Sequence, residues 1–277
     1  MLIVEKYTSF EYSKKKGKFE KLSSKRIEDL KKSHEEHIDI RDFALNLLER
    51  NNIEYVLIKD DAICDVNYSH FDAVMSLGGD GTALHAMAYI TDQFFFGVNT
   101  DLKKSAGKLT RLNRGNLETA LDNFLSGEKN VELLDRLSAK VNNVLLPSLA
   151  VNEILVADPR IYKTTHLEFE IGKEISSTIS NGIIVATKQG SSAFYKSSGA
   201  EVFDLEKIGY NIIMPFTLNG NLKKSNLFDI SEKIIIRPKR EHYKLIFDCH
   251  EQRSIDLHHG DVIEIGVDKK DRIKVVV

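Results

Sequence analysis

The sequence contains no tryptophan, only four prolines and only two cysteines among its 277 residues, and each shortage excludes a class of protein. So few prolines, with 16 glycines, exclude collagen-like and proline-rich chains. Cys64 and Cys249 are too few for a disulfide framework, so we interpret both as ordinary thiols in a reducing compartment. Apolar residues make up 42% of the chain, which is enough for a buried core, and the length predicts one large domain or two modest ones.

Neither sign of charge prevails, since 39 Lys and Arg stand against 41 Asp and Glu. This balance gives no general attraction for nucleic acid or anionic membranes, so any polyanion must bind at a local site. The chain lacks the run of about 18 apolar residues that a membrane helix needs. The apolar run within Met1 to Lys6 is too short for a signal peptide. We therefore predict a cytoplasmic protein with neither nucleic acid nor membrane as a partner.

The first part of the chain alternates short apolar runs with helical periodicity, as α/β proteins with an open parallel sheet and flanking helices do. Strands are predicted to begin at Leu2, Glu54, Phe71 and Phe94. A long helix is predicted from about Lys25 to Asn51, and its apolar stripe faces the sheet. The stripe consists of Ile40, Phe43, Ala44, Leu47 and Leu48.

The second part of the chain consists of short alternating runs separated by turn residues, which predict an all-β sandwich. Strands are predicted at 138–146, 150–157, 166–171, 183–186, 233–236, 243–247, 262–267 and 272–276. We predict an N-terminal α/β domain over 1–128 and a β-sandwich domain over 129–277. The last strands or the tail are candidates for packing back on the N-terminal domain.

The most distinctive motif is Gly78-Gly79-Asp80-Gly81-Thr82, between the third predicted strand and the next helix, where open α/β sheets bind ligands. Glycines allow close approach of the backbone to a phosphate, and N–H groups at the helix start bind anions. The motif lacks the Lys-Ser/Thr ending of a P-loop. A carboxylate there suits phosphoryl transfer to a hydroxyl, by binding a metal or accepting a proton. The alternative is a glycine-rich turn with Asp80 as helix N-cap.

The segment 76–86 resembles the signature of NAD kinases, although diacylglycerol kinases, sphingosine kinases and phosphofructokinases share its Gly-Gly-Asp-Gly core. Three later segments, 97–109, 150–155 and 181–194, resemble NAD kinases in order and spacing. Asn99-Thr100-Asp101 is closer to the mitochondrial branch than to the common bacterial form, which has Gly in place of Asp101. The start of the chain also resembles that branch.

The resemblance implies an ATP-dependent NAD(H) kinase in which Asp80 accepts the proton of the ribose 2′-hydroxyl as it attacks the γ-phosphate, with Mg²⁺ accompanying ATP. It also implies a homodimer or homotetramer. The residues implied to bind nucleotide are Gly78, Gly79, Gly81, Thr82, Asn99, Thr100, Asp101, Asn152, Glu153, Asn181, Thr187, Lys188, Gly190, Ser191, Ser192, Ala193 and Phe194.

The chain departs from the family pattern at Asn181, where Asp is usual, and within the turn at Lys188, Gln189 and Phe194. The family usually reads Thr-Pro-Thr-Gly-Ser-Thr-Ala-Tyr there, so the departures concern substrate choice. Two other functions stay open: a lipid or sugar kinase with the same core motif, and a non-catalytic dinucleotide-binding sensor.

The histidines give little indication of a metal site. His34 and His37 lie three residues apart, whereas a zincin helix needs four, so we interpret 34–37 as a solvated helix face. His85 follows the glycine motif and is interpreted as packing beneath it.

Overall fold

The structure is a computed structural model that describes residues 1–101, 107–160 and 162–277. These residues divide into two compact units. One consists of Met1–Leu133 with Ile273–Val277, and the other of Leu134–Arg272. The sequence places the boundary after residue 128, and the division lies slightly later. Across the described ranges, no helix is long and apolar enough to cross a membrane.

The secondary structure alternates strands and helices in the first unit and is mainly strands in the second. The helices are α1 (Ser9–Lys15), α2 (Ser24–Arg50), α3 (Asp80–Met87), α4 (Leu117–Ser126) and α5 (Phe194–Ser197). The strands are β1 (Leu2–Glu5), β2 (Val56–Lys59), β3 (Ala73–Gly78), β4 (Phe94–Asn99), β5 (Val131–Leu134), β6 (Leu137–Val141), β7 (Val144–Ala150), β8 (Glu153–Ala157), β9 (Thr165–Ile171), β10 (Glu174–Ser180), β11 (Gly182–Ala186), β12 (Lys207–Ile213), β13 (Thr217–Gly220), β14 (Ser225–Asp229), β15 (Ile234–Pro238), β16 (Tyr243–Phe247), β17 (Ser254–Leu257), β18 (Ile263–Val267) and β19 (Ile273–Val276).

The first unit contains a sheet with strand order β2-β1-β3-β4-β19-β5, in which the pairs from β2 to β19 are parallel. The predicted parallel α/β region is thereby confirmed. Ala44, Leu47 and Leu48 of α2 are buried in the same apolar cluster as Ile3 and Phe96 of the sheet, so the predicted stripe is also confirmed. Strand β19 belongs to the tail that the sequence analysis named as a candidate for packing back on the N-terminal domain, and it lies between β4 and β5 in this sheet.

The second unit contains two antiparallel sheets, with orders β13-β10-β9-β15-β18-β6-β7 and β14-β12-β11-β8-β16-β17. Residues of both sheets, among them Phe169 and Val185, belong to one buried apolar cluster. The single strand predicted over 138–146 is wrong, because β6 and β7 form a hairpin there. Its turn residues Asn142 and Asn143 have φ of 50° and 66°, as a tight turn of the I′ type requires.

Candidate active site

The first group of predicted site residues lies at the carboxyl ends of β3 and β4. The two strands pair in parallel with Gly78 opposite Asn99. Beyond that pair, the Thr100 N–H donates to the Gly78 carbonyl oxygen at 3.0 Å. The glycine motif and the Asn99-Thr100-Asp101 segment are therefore adjacent, as expected for parallel strands that end at one edge of a sheet.

The glycines of the motif have different structural roles. A Cβ atom at Gly78 would lie 2.4 Å from Thr82 Oγ1, so only glycine allows the strand to approach the first turn of α3. Among the described residues, an added Cβ at Gly81 would have no neighbour within 4 Å. The described part of the chain therefore leaves space beside Gly81 at the helix start, where N–H groups attract anions.

The Asp80 carboxylate connects the motif to the segment 108–110. Its Oδ1 accepts hydrogen bonds from Leu109 N at 3.0 Å, Thr110 N at 3.1 Å and Thr110 Oγ1 at 3.0 Å. Its Oδ2 accepts one from Lys108 N at 3.0 Å. The N-cap of α3 is Gly79, so the reading of Asp80 as N-cap is wrong. Ser105 and Ala106, which belong to the matching family segment, lie outside the described residues.

The Asn99-Thr100-Asp101 segment is held from several sides. Asn99 Oδ1 accepts a hydrogen bond from Asp101 N at 2.9 Å. Asp101 Oδ2 accepts one from Ser33 Oγ at 3.3 Å and lies 3.8 Å from Lys6 Nζ. Asn99 and Thr100 are both buried. Their side chains are thus part of the framework that shapes this edge of the sheet.

His37 of α2 contacts this segment, which contradicts our interpretation of 34–37 as a solvated helix face. The residue is 0% exposed, and its Nδ1 lies 2.9 Å from Thr100 Oγ1. His37 precedes Ile40 by three residues and Ala44 by seven, so it continues the apolar stripe of α2. That spacing is the feature of the sequence that indicates a buried His37, and the charged residues on either side of it obscure the pattern.

The second group of predicted residues lies in the second unit, at the edge where β8 begins and β11 ends. The Thr187 N–H donates to Asn152 O at 2.9 Å, and Thr187 Oγ1 donates to Val151 O at 2.6 Å. A Cβ atom at Gly190 would lie 2.0 Å from Asn152 O, so glycine is required for this approach. The Asn152-Glu153 pair and the glycine turn therefore form one packed structure.

Asp248, which nothing in the sequence singles out, supports this structure from the end of β16. Its buried carboxylate accepts hydrogen bonds from the N–H groups of Val151 at 3.1 Å, Asn152 at 2.8 Å and Glu153 at 3.3 Å. Arg253 Nη1 lies 3.4 Å from the same carboxylate. Burial raises the pKa of Asp248, while these donors favour its charged form and fix the backbone of the Asn152-Glu153 pair.

Glu153 presents an acceptor that lacks a partner. The residue is 2% exposed, and its Oε2 has no hydrogen-bond partner among the described residues, while Cys249 Sγ lies 3.4 Å from its Oε1. Burial, reinforced by the negative charge of Asp248, raises the pKa of Glu153 to about 7. Gln189 Oε1 is a second buried acceptor without a partner in the described chain. These buried acceptors in two adjoining loops are available to the donors of a ligand or of ordered water.

The other predicted residues of the turn use their side chains within the unit. Ser191 Oγ lies 2.7 Å from Lys188 O and 3.0 Å from Phe203 O, so its single proton is directed toward these two carbonyl oxygens. Lys188 Nζ lies 2.9 Å from an oxygen of Asp204, and this hydrogen bond raises the pKa of Lys188. Ser192 Oγ donates to Gln189 O at 3.4 Å. Ala193 precedes α5, and Phe194 packs against a small apolar cluster.

Asn181 is not brought together with the Asn152 and Thr187 loops. It precedes β11, whereas Thr187 follows it, so the two ends are about 20 Å apart at about 3.3 Å per residue. Its Nδ2 donates to Lys163 O at 3.4 Å.

Within the described parts of the chain, no group of three or more His, Cys, Asp or Glu residues is placed to hold a metal ion.

Known proteins resemble this chain over most of its length, although no model of a protein family matches it. The NAD kinase of Methanothermobacter thermautotrophicus is 31% identical over 206 residues, which are 72% of this chain and 69% of the relative. The chain belongs to the NAD kinase family. A relative from Oryza sativa subsp. japonica, described as a probable NADH kinase, is 27% identical over 275 residues, or 87% of this chain and 81% of that protein.

Solved structures of NAD kinases share the fold. A crystal structure of an NAD kinase from Archaeoglobus fulgidus in complex with ATP has a TM-score of 0.67 at 22% identity, covering 100% of this chain and 94% of that one. The yeast NADH kinase complexed with NADH has a TM-score of 0.73 at 18% identity, covering 100% and 82%. The parallel sheet and the antiparallel sheets of this chain therefore form an NAD kinase fold.

Proposed function

We propose that this chain is an NAD(H) kinase that transfers the γ-phosphate of ATP to the 2′-hydroxyl of the adenosine ribose. The observation that carries the proposal is the Asp80 carboxylate, which accepts hydrogen bonds from Lys108, Leu109 and Thr110 at the start of α3 in a member of the NAD kinase family. A carboxylate held in one orientation beside an anion site suits a hydroxyl nucleophile.

Asp80 is the proposed general base. It orients the ribose hydroxyl and takes its proton as the oxygen attacks phosphorus, a role that contributes about 10²- to 10⁴-fold to the rate. The open space beside Gly81, at the N-terminus of α3, is the proposed place for the phosphates. Mg²⁺ would enter with ATP and would neutralise part of the charge on the phosphates, since Mg²⁺ in kinases is held mainly through the substrate phosphates and keeps several waters.

The loops around Asn152 and Thr187 are the proposed dinucleotide site. Glu153 Oε2 and Gln189 Oε1 are buried acceptors without partners in the described structure, and ribose hydroxyls and amide or amino groups supply donors for them. Asp248 and Gly190 are proposed to act indirectly, because they hold the backbone that carries these acceptors.

Several finer features of the proposal rest on the sequence. Asn99-Thr100-Asp101 and the first twelve residues favour the mitochondrial branch of the family. By the same resemblance, we propose a homodimer or homotetramer. The shortage of cysteines favours a reducing, cytoplasmic setting. The balanced charge favours ATP and NAD(H), rather than nucleic acid or membranes, as partners.

The test is product formation from MgATP with NAD and, separately, with NADH, measured through an NADP-specific dehydrogenase. The proposal predicts turnover with at least one dinucleotide and none with diacylglycerol, sphingosine or hexoses. Phosphorylation of a lipid or sugar without NADP formation would favour the other kinases that share the motif. A rise in melting temperature with NAD, but no NADP, would favour a non-catalytic sensor.

A further inference from the structure

A fully buried histidine joins two strand ends in the first unit. His37 Nε2 lies 2.9 Å from Glu5 Oε1, at the end of β1, and His37 Nδ1 lies 2.9 Å from Thr100 Oγ1, just beyond β4. The exposed fractions of these three residues are 0%, 2% and 1%. A buried imidazole with both ring nitrogens engaged has a single orientation and cannot rotate without losing both bonds.

The chemistry of the three groups fixes the direction of each hydrogen bond. Burial of the Glu5 carboxyl opposes ionisation, but hydrogen bonds from His37 and Lys59 hold its pKa at about 2. An ionised carboxylate only accepts, so His37 Nε2 carries the proton. Burial lowers the pKa of His37, although the hydrogen bond to Glu5 opposes this effect, so the ring is neutral near pH 7. Nδ1 of a neutral ring then accepts, and the Thr100 hydroxyl donates to it.

Thr100 transmits this constraint to the candidate active site. Its N–H donates to Gly78 O at 3.0 Å, in the glycine motif, and its neighbour Asp101 donates its N–H to Asn99 Oδ1 at 2.9 Å. The side chain of Thr100 is thus anchored to α2 while its backbone is anchored to β3. Loss of the hydroxyl bond would release one side of the segment that lies against the motif.

We infer that His37 is a positioning residue, which holds the Asn99-Thr100-Asp101 segment against the glycine motif. The Glu5 carboxylate fixes the orientation of the His37 ring, and the Thr100 hydroxyl is the contact through which the ring holds the segment. The inference rests on the proposed kinase function. Misplacement of a positioned group by about 1 Å can cost on the order of 10²-fold in rate. The effect of losing His37 therefore falls on turnover as well as on folding.

Two conservative variants separate these effects. Asn at 37 carries its polar group near the position of Nδ1, so its oxygen can accept from Thr100, while the link to Glu5 is lost. Gln at 37 reaches the position of Nε2, so it keeps the link to Glu5 and loses Thr100. A purely structural role predicts that kcat follows stability in both variants. The inferred role predicts that kcat follows the link to Thr100.

The experiment measures kcat and KM for MgATP and dinucleotide, with melting temperatures, in the full chain. We expect kcat of His37→Gln to fall about 10- to 100-fold and that of His37→Asn, which loses only the support from Glu5, to fall at least about threefold less than that of His37→Gln. The matched control is His34→Gln on the same helix, since His34 is half-buried and bonded to Thr8. Its kcat is expected to be unchanged.

Thr100→Val gives an independent check on the contact, because it removes the hydroxyl and keeps the shape. We expect Thr100→Val to lower kcat as much as His37→Gln, and the double variant to lose no more than either single variant. Equal kcat losses in His37→Gln and His37→Asn, or additive losses in the double variant, would overturn the inference. Wild type without kinase activity would instead refute the proposed function, which keeps the two failures distinct.

Discussion

Replacement of Glu153 by Gln is predicted to stabilise the second unit at alkaline pH. The Glu153 carboxyl is buried beside Asp248, and its pKa is about 7, against an ordinary value of 4.5. The folded state therefore keeps a proton that the unfolded state has released between pH 4.5 and pH 7. Stability is fully present below pH 4.5 and is lost as the pH rises through about 7.

The size of this loss follows from the two pKa values. The interval from 4.5 to about 7 corresponds to about 3 kcal/mol, since one pKa unit is about 1.4 kcal/mol. Part of it belongs to the interaction with Asp248, so we expect about 1 to 3 kcal/mol. Gln at 153 is neutral at every pH and avoids the loss. The variant should exceed the wild-type free energy of unfolding only slightly at pH 5, where the unfolded state has just begun to release the proton, and by this full amount at pH 8.

The assay is urea unfolding followed by far-ultraviolet circular dichroism at pH 5, 6, 7 and 8, because the chain has no tryptophan. Glu174→Gln is the matched control, since Glu174 lies exposed in the same unit. It should show no difference from wild type that grows with pH. If the difference between Glu153→Gln and wild type is the same at pH 5 and pH 8, Glu153 does not hold a proton in the folded state and the reasoning is refuted.

Two further predictions concern the glycines and the acid stability of the first unit. Gly190→Ala should lower the free energy of unfolding by about 2 kcal/mol or more, because its Cβ would lie 2.0 Å from Asn152 O. Gly81→Ala should leave the free energy of unfolding unchanged or raise it by up to about 1 kcal/mol. It should also weaken ATP binding. Equal unfolding midpoints in urea for the two variants would contradict this prediction. The pKa of Glu5 is about 2, against an ordinary value of 4.5. Glu5 should therefore contribute stability above pH 4.5 that is lost as the pH falls from about 4.5 to 2. Glu5→Gln should flatten that part of the profile of melting temperature against pH. A wild-type profile as flat as that of Glu5→Gln would contradict it.

Local patterns were sufficient to predict much of the first unit. The strands beginning near Leu2, Phe71 and Phe94 and the stripe of α2 follow from periodic apolar residues, which report burial directly. The placement of β19 between β4 and β5 depends on tertiary pairing across most of the chain, which no local pattern contains. The same limit hides the bonds between Asp80 and the 108–110 segment, because backbone donors carry no sequence signal.

The second unit shows where patterns mislead. The run 138–146 looks like one strand because its Asn-Asn turn is flanked by apolar residues, and only the positive φ angles of Asn142 and Asn143 separate β6 from β7. Strand β10 was missed because Ser and Thr residues fill its buried face. Asp248 was missed because a single acidic residue after a strand is common, and its role depends on three N–H groups about a hundred residues away.

The most direct test of the account is a comparison of Asp80→Asn with wild type for kcat and for the dissociation constant of the dinucleotide. Asn keeps the oxygen that accepts hydrogen bonds from Leu109 and Thr110, but it cannot take a proton. We therefore expect kcat to fall by about 10²-fold or more, while the dissociation constant of the dinucleotide changes less than about fivefold. Thr110→Val, which removes one bond to Asp80 and leaves the carboxylate, should lose less than tenfold. Turnover of Asp80→Asn within tenfold of wild type, or an equal loss in Thr110→Val, would contradict a general base at Asp80.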